Sequence, residues 1–195
     1  MKEVTRRGLI FGAAALAAAG VFAGVDRVAS STFVKEEPSL GTDGSVDLVE
    51  FDDTGKRTGK KSVRKVQKTL AEWRRVLTTP QFVVTRKVAT EIPYSGELLN
   101  EHRGGIFRCA DCGTALFDAK TKFESGTGWP SFWAAIAEEN VREKDDFSMG
   151  MLRREVKCTL CDAHLGHVFT DGPDPTGLRY CMNSVALKFV PQRAS

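Results

Sequence analysis

The sequence predicts a mostly antiparallel β domain with a helical N-terminal flank and a structural metal site. Three observations support this prediction. Several short segments in the second half are β-branched or aromatic and are bounded by Gly, Pro or Asp, as strands often are. Two CxxC pairs follow two of these segments. One earlier stretch has apolar residues at helical spacing.

Residues 1–29 are expected to lie outside the folded domain. Arg6 and Arg7 precede an apolar run, Leu9–Val25, that is rich in Ala and Gly. This arrangement resembles a twin-arginine export signal. The alternative is a membrane anchor, although the run is at the short end for a bilayer span. We therefore expect a periplasmic or exported protein, which stays membrane-tethered if the leader is uncleaved.

Residues 30–62 are predicted to be a flexible linker, and residues 63–192 the folded domain. The linker is rich in Gly, Asp, Thr and Lys, and its apolar residues are sparse apart from a patch at Val46–Phe51. Val63, Val66, Leu70, Trp73 and Leu77 then recur at helical spacing. Thr79-Pro80 ends this helix or begins the next turn.

The remaining segments define the β part of the domain. Strands are predicted at 82–85, 105–108, 155–157 and 185–190, and one short helix at Ser131–Glu138, after Pro130. The composition, 42% hydrophobic and 27% charged, is that of a globular protein. A net charge of +3 without a basic, aromatic-rich patch argues against a nucleic-acid-binding zinc ribbon.

Four of the five cysteines form two CxxC pairs. These are Cys109/Cys112 and Cys158/Cys161, each at the end of a predicted strand. Four thiolates in a closed tetrahedral shell are typical of structural zinc, and their softness disfavours Mg²⁺ or Ca²⁺. Disulfides or a redox-active CxxC are the alternatives, but two pairs together favour one Zn²⁺ per chain.

Cys181 is the cysteine left over. Arg179 and Asn183 lie two residues to either side, so they share its face in a strand, and Arg179 can stabilise a Cys181 thiolate. His164 and His167 lie upstream. The alternatives are that Cys181 is a small buried hydrophobe and that the histidines are zinc ligands or structural groups. Its polar neighbours disfavour an apolar slot.

From about Val63 to Val190 the sequence resembles the peptide-methionine (R)-S-oxide reductases, the B-type methionine sulfoxide reductase family. The resemblance rests on five motifs in family order: Tyr94-Ser95-Gly96-Glu97-Leu98, Cys109-Ala110-Asp111-Cys112-Gly113, Phe123-Glu124-Ser125-Gly126-Thr127-Gly128-Trp129-Pro130-Ser131-Phe132, His164-Leu165-Gly166-His167-Val168-Phe169-Thr170-Asp171-Gly172-Pro173 and Arg179-Tyr180-Cys181-Met182-Asn183-Ser184. It implies two antiparallel sheets (a β-tent) with zinc on the side away from the nucleophile.

The resemblance also implies roles for individual residues. Cys181 attacks the sulfoxide sulfur, while His164 and His167 assist protonation of the oxygen. Arg179 and Asn183 orient Cys181, and Asp171 supports the histidines. Trp129 receives the S-methyl group. Phe132 is a second candidate for substrate binding, although a core position is favoured for it. The zinc ligands are Cys109, Cys112, Cys158 and Cys161.

One departure from the family pattern concerns the second half of the reaction. Many members carry a resolving cysteine before the first CxxC pair, and this chain has none there; Thr127 cannot serve either. We therefore expect an external thiol or a thioredoxin-like reductase to reduce Cys181 after turnover. A non-catalytic zinc-scaffold binding module is the competing class, but such a module does not need the nucleophile, histidines and tryptophan together. We expect a monomer.

Overall fold

The computed structural model describes residues 44–147 and 153–192, which contain two helices and eleven strands. The predicted leader, residues 1–29, and residues 30–43 of the predicted linker lie outside the described residues. The helices are α1 (Leu70–Val76) and α2 (Thr79–Lys87). The strands are β1 (Ser45–Phe51), β2 (Arg57–Arg64), β3 (Gly105–Cys109), β4 (Ala115–Asp118), β5 (Lys122–Phe123), β6 (Ser131–Phe132), β7 (Val141–Asp146), β8 (Arg153–Cys158), β9 (His164–Phe169), β10 (Arg179–Met182) and β11 (Leu187–Pro191). Neither described helix is long and apolar enough to cross a membrane.

The strands form the two antiparallel sheets that the resemblance implied, together with a separate hairpin. One sheet has six strands in the order β5-β6-β10-β9-β8-β7, and the other has three in the order β11-β3-β4. All of these pairs are antiparallel. The prediction of a mostly β fold with a helical N-terminal flank is therefore confirmed.

The prediction of a flexible linker over residues 30–62 is wrong for its described part, because β1 and β2 pair as a hairpin there. Val46, Leu48 and Val49 are buried, whereas β2 is polar and almost wholly exposed. A strand without an apolar face has no hydrophobic period to reveal it. The turn is held by Asp52, whose carboxylate accepts hydrogen bonds from the backbone of Thr54 and Lys56.

Two buried contacts attach the hairpin to the domain. The Asn140 amide accepts a hydrogen bond from Val49 N and donates to Val49 O at 2.8 Å and to Ala115 O at 2.8 Å. Lys65 forms an ion pair of 2.7 Å with Asp162, beside the second CxxC pair. A buried amide with all these partners fixes the hairpin in one place, because leaving any of them unpaired is costly.

The predicted helix over Val63–Leu77 begins later than expected, at Leu70. Thr69 forms a capping box with Glu72, which sets the start of α1, and the segment before it is still β2 as far as Arg64. Leu77 caps the C-terminal end. The two apolar residues before the cap, Val63 and Val66, match the helical period by coincidence.

Residues 82–85, predicted as a strand, form part of helix α2. A capping box of Thr78 and Gln81, with Pro80 in the first turn, starts this helix. Phe82 and Thr85 are buried on one side of it. Periodicity alone does not separate a short β-branched run on a strand from one on a buried helix.

Two further segments differ from prediction. Ser131–Glu138 was expected to be helical, but Ser131 and Phe132 form β6, which pairs with both β5 and β10. The last predicted strand, 185–190, begins as a 3-10 turn over Ser184–Ala186, and β11 starts at Leu187. The predicted strands at 105–108 and 155–157 are present within β3 and β8.

Candidate active site and metal centre

The two CxxC pairs sit in two turns with the same backbone pattern. Gly113 N donates to Cys109 O at 2.9 Å, and Asp162 N donates to Cys158 O at 2.9 Å. Both donors have a positive φ, 80° for Gly113 and 58° for Asp162. This left-handed conformation turns the chain back sharply, which brings both sulfurs of each pair to the same side of the turn.

The four sulfurs converge on one point. All of the ligand atoms of Cys109, Cys112, Cys158 and Cys161 lie within 4.8 Å of one another. The Cys109–Cys161 sulfurs are 3.7 Å apart and those of Cys112–Cys158 3.5 Å apart. Tetrahedral bonds of about 2.3 Å to zinc place sulfurs about 3.8 Å from one another, so the spacing fits a metal ion. None of the four is in a disulfide.

Four thiolates this close together would need a cation among them. Hydrogen bonds from Cys112, Cys158 and Cys161, together with burial, raise the pKa of Cys109 well above its ordinary value. The sulfurs cannot all be anionic at this spacing unless a positive charge lies among them.

Helix α2 braces the cluster through Arg86. Its guanidinium donates to Cys161 O at 2.6 Å and forms a buried ion pair with Asp111, between the first two cysteines. It also lies 3.7 Å from the centre of the Trp73 ring. The helical flank therefore ties the two CxxC turns together.

Cys181 lies elsewhere, in a small pocket that none of the four clustered cysteines lines. In strand β10 it pairs opposite His167 of β9. The Thr127 hydroxyl is 3.8 Å from its sulfur. The pocket has a volume of about 110 Å³. It is lined by Thr90, Trp129, Arg153, Gly166, His167, Phe169, Cys181 and Asn183.

Trp129 is fixed as one wall of this pocket. Its indole N–H donates to Glu91 O at 3.2 Å. Gly128 precedes it with a φ of 90°, and a Cβ there would come within 2.9 Å of Tyr94. The Ser-Gly-Thr-Gly-Trp loop therefore needs glycine at residue 128 to present the indole beside Cys181.

Glu91 links this wall to the strand that carries the nucleophile, and sequence reasoning missed it. Its backbone N–H donates to Asn183 Oδ1 at 2.9 Å. Its carboxylate accepts hydrogen bonds from Ser184 N at 2.5 Å and Val185 N at 3.1 Å. Burial raises the pKa of Glu91, although these backbone donors act in the opposite direction.

Asn183 lines the pocket but acts on backbone rather than on Cys181 directly. Its side chain donates to Leu165 O at 3.0 Å and accepts from Glu91 N. Its predicted role in orienting Cys181 and its surroundings stays a prediction. The residue is buried, so both bonds are protected from water.

A β-bulge brings the two histidines together on one side of β9. Lys157 pairs with His164 and Val156 pairs with Gly166, so Leu165 is the extra residue. The two imidazole rings lie 5.4 Å apart. Gly166 is required there, because a Cβ would lie 2.1 Å from Cys181 O.

Each histidine has its own carboxylate partner. His164 Nδ1 lies 2.7 Å from Glu155, and His167 Nε2 lies 2.9 Å from Asp146. Asp146 also pairs with Arg153, which lines the pocket. His167 lines the pocket, whereas His164 is buried and does not line it, and His164 Nε2 has no hydrogen-bond partner among the described residues. Burial lowers the pKa of His167, which favours the neutral imidazole.

The prediction that Asp171 supports the histidines is wrong. Both of its carboxylate oxygens accept hydrogen bonds from the Arg179 guanidinium, at 2.9 and 2.8 Å. The Arg179 guanidinium also lies 4.4 Å from the centre of the Phe169 ring. Asp171 is 8 residues from its partner in sequence, and the loop returns it to the arginine rather than to the imidazoles. It therefore orients Arg179.

Burial and the neighbouring polar groups act on the pKa of Cys181 in opposite directions. Arg179, Thr127 and Ser131 each favour the anion, but burial outweighs them and raises the pKa of Cys181. A half-buried sulfur loses more hydration than these neighbours replace. Burial therefore favours the thiol form of Cys181, which carries a proton.

Phe132 lies in the core, the position favoured for it from the sequence, and it does not line the Cys181 pocket. It is fully buried, and its ring stacks on Phe117 at 4.4 Å and meets Phe107 edge-on at 4.9 Å. In β6, Ser131 pairs with Cys181 and Phe132 pairs with Tyr180, so Phe132 lies on the face of the sheet opposite to Cys181. Phe169 and Arg153 line the pocket instead.

Known proteins share this domain. The model of the SelR domain matches residues 77–191. A peptide methionine sulfoxide reductase MsrB of Pseudomonas putida is 55% identical over 130 residues, 67% of this chain and 99% of that protein. An MsrB of Herminiimonas arsenicoxydans is 55% identical over 125 residues, covering 64% of this chain and 91% of that protein.

A solved structure gives a weaker similarity. The Mis18 'Yippee-like' domain matches 43% of this chain and 92% of its own, with 22% identity and a TM-score of 0.36, which is too low to support an inference. The sequence relatives and the SelR match are sufficient by themselves. This chain belongs to the SelR-domain family of MsrB peptide methionine sulfoxide reductases.

Proposed function

We propose that this protein reduces the R epimer of methionine sulfoxide in proteins or peptides, with Cys181 as the attacking sulfur. The observation that carries the proposal is the position of Cys181. It is the chain's one cysteine outside the metal cluster, and it lines a small pocket together with Trp129 and His167. Membership of the MsrB family supports the reaction class.

The pocket suits an oxidised thioether. The flat face of Trp129 provides an apolar, polarisable surface for the S-methyl group. The lining also carries the polar groups of His167 and Arg153, which suit the sulfoxide oxygen. The sulfur of the substrate then lies against Cys181.

The chemical step is an attack of sulfur on sulfur. As Cys181 bonds to the sulfoxide sulfur, its proton passes to the sulfoxide oxygen. The oxygen then transfers to Cys181 as the new sulfur–sulfur bond breaks. The products are methionine and a Cys181 sulfenic acid, whose hydrogen is the proton of the original thiol. Cysteine is oxidised by two electrons and the sulfoxide is reduced by two.

His167 is placed to carry that proton. Its bond to Asp146 fixes the orientation of the ring, and its lowered pKa keeps it neutral and able to accept a proton. The His164 ring packs against the His167 ring, and the Glu155 carboxylate fixes the orientation of His164. Because a sulfoxide oxygen leaves poorly without a proton, this relay lowers the barrier to its departure.

An external thiol completes the cycle. The four other cysteines belong to the candidate metal cluster. The side chain that approaches the Cys181 sulfur to 3.8 Å is that of Thr127, which cannot form a disulfide. Two equivalents of a thiol, or one dithiol of a thioredoxin-like reductase, therefore reduce the sulfenic acid to a thiol and release water. The oxidised thiols leave as a disulfide.

The metal in the cluster is proposed to be zinc. Cys109, Cys112, Cys158 and Cys161 would hold it as a closed shell, which leaves no position for substrate. When bound, zinc supplies structural cross-linking of the two CxxC turns rather than chemistry on the sulfoxide. Its removal is expected to unfold the domain, because binding free energy at such a site is folding free energy.

Export by a twin-arginine leader is a separate proposal, supported only by Arg6, Arg7 and the apolar run after them. The test is a fusion of residues 1–43 to a reporter that is active only after export of a folded protein. Export that is lost with Arg6→Lys and Arg7→Lys together supports the proposal. Export that persists in this variant contradicts it.

The test of the enzymatic proposal uses the purified domain with dithiothreitol and peptides carrying either epimer of methionine sulfoxide. Turnover of the R epimer alone, abolished by Cys181→Ser with the metal still bound, is the expected result. Full activity of Cys181→Ser, or equal turnover of the S epimer, would contradict the proposal.

A further inference from the structure

We propose that a groove beside the Cys181 pocket binds an apolar stretch of the oxidised polypeptide, within a few residues of its methionine sulfoxide. This inference rests on the proposed function and names the part of the substrate that lies outside the pocket. The groove is lined by apolar residues from five segments of the chain, among them Pro80, Ile92, Leu98, Val185, Leu187 and Phe189.

The Cys181 pocket is too small to hold more than one residue of a polypeptide. At about 110 Å³ it is well below the 300–1,000 Å³ or so of typical ligand sites. It admits a single side chain and no neighbouring residues. The rest of a polypeptide substrate must therefore lie on the surface around the pocket, and that surface contributes to selectivity.

The groove is the large concavity next to this pocket. Its volume is about 790 Å³. The two are separated by two stretches of chain: Thr90 and Asn183 line the pocket, while the residues that follow them, Glu91 and Ser184, line the groove. A polypeptide whose methionine enters the pocket has only this ridge to cross before it reaches the groove.

Beyond Glu91 the ridge continues into two exposed apolar side chains, Ile92 and Tyr94. Ile92 is 75% exposed and Tyr94 is 69% exposed, which is unusual for large apolar side chains. Tyr94 is held in place, since it donates from its hydroxyl to Gly126 O at 2.7 Å and from its amide to Gly128 O at 2.8 Å. A preorganised apolar ridge binds a chain at a smaller entropic cost.

The charges around the ridge do not oppose an apolar occupant. The Glu91 carboxylate lies in the wall of the groove, but both of its oxygens accept hydrogen bonds from backbone amides. Lys188 and Glu97, of opposite charge, also line the groove. A strongly charged segment of either sign therefore has no complementary surface here, whereas an apolar one buries area against several side chains.

The experiment compares three substrates of the purified protein: N-acetyl-methionine-R-sulfoxide amide and two peptides. In one peptide the residues flanking the methionine sulfoxide are Leu or Phe, and in the other they are Ser. We expect kcat/KM for the apolar peptide to exceed that for the serine peptide by about tenfold, the effect of partly burying one large apolar side chain. The difference is expected to reside in KM.

Ile92→Ser is expected to reduce the ratio of the two peptide kcat/KM values to nearly one. Val76→Ser, at a β-branched apolar residue of α1 that is also largely exposed (63%), is the matched control and is expected to leave the ratio and the amide activity unchanged. The amide reports on the proposed function alone. Failure to turn over the amide contradicts that function, whereas normal amide turnover with no peptide preference contradicts only the groove.

Two other outcomes would also overturn the inference. If the kcat/KM ratio still favours the apolar peptide in Ile92→Ser, the apolar residues of the peptide bind outside the groove. Concentration-dependent association of the protein that Ile92→Ser abolishes, without any change in the peptide ratio, assigns the ridge to contacts between copies of this chain.

Discussion

The metal cluster and the Cys181 pocket both depend on cysteine sulfur, but they are assembled differently. The cluster uses two copies of one local turn, and its four ligands are legible as two CxxC pairs. The pocket takes residues from segments scattered between Thr90 and Asn183, joined by side-chain contacts that span long stretches of sequence. The cluster therefore stabilises the fold, whereas the pocket forms only once the fold has brought its residues together.

The largest expected effects are the losses of activity or of fold caused by single cysteine substitutions, which differ between the two sites. Cys181→Ser should abolish reductase activity but keep the metal and the thermal stability, because its sulfur makes no contact with the cluster. Cys109→Ser should lose metal and fold together, with a stability loss of several kcal/mol. The measurements are metal content, circular dichroism and activity of both variants. A Cys181→Ser protein that loses metal would break the comparison.

The next effect concerns Glu91, which joins Trp129 to the strand that carries Cys181. Glu91→Gln replaces one of its two accepting oxygens with a donor that faces a backbone N–H, and it should lower kcat/KM about tenfold. Trp129 fluorescence should shift, whereas metal content should not change. Glu50→Gln, on the exposed face of the hairpin, is the matched control. An unaltered indole spectrum with full activity would remove Glu91 from the site.

A smaller effect is expected from Arg179. It favours the Cys181 thiolate without fully offsetting burial, so the pKa of Cys181 is already raised. Arg179→Met should raise this pKa further. Because only the thiolate is alkylated, the rate of modification by iodoacetamide at a pH below that pKa should fall a few-fold and recover as pH rises. Arg75→Met, on the exposed side of α1, should leave the rate unchanged. A faster rate of modification in Arg179→Met would show that Arg179 raises the pKa of Cys181 and would contradict this prediction.

The smallest effect on activity is expected from Asn140→Ala. This substitution removes three buried hydrogen bonds, two to Val49 of the hairpin and one to Ala115 of the domain, and should cost about 2 kcal/mol of stability. The pocket contains no residue of the hairpin, so kcat/KM should stay near that of the unmodified protein. Urea unfolding and steady-state kinetics are the measurements. A large activity loss in the folded variant would connect the hairpin to the pocket.

The parts of the fold that could be predicted from sequence are those with local signals. The strands that end at Cys109 and Cys158 combine β-branched residues with CxxC turns, and both were predicted in place. The β1–β2 hairpin was missed because β2 is polar on both faces, and its stability comes from Asn140, far away in sequence. Helix α2 was mistaken for a strand because its apolar run is short.

The same distinction applies to the site. Cys181, His167 and Trp129 were identified from their motifs, and the structure brings them to one pocket. Asp171 was assigned to the wrong partner, since nothing local indicates which cation a loop carboxylate will reach. Glu91, Asp146 and Glu155 carry no motif of their own, and their partners lie 93, 21 and 9 residues away along the chain. Only tertiary structure pairs them.

The most direct test of the central claim is mass spectrometry after a single turnover without reductant, with a sulfenic-acid trap and the metal content measured on the same sample. The account predicts one trapped adduct on Cys181, one methionine formed per chain, and a full complement of metal on the four clustered cysteines. A disulfide between Cys181 and a cluster cysteine, accompanied by release of metal, would contradict the separation of the two sites.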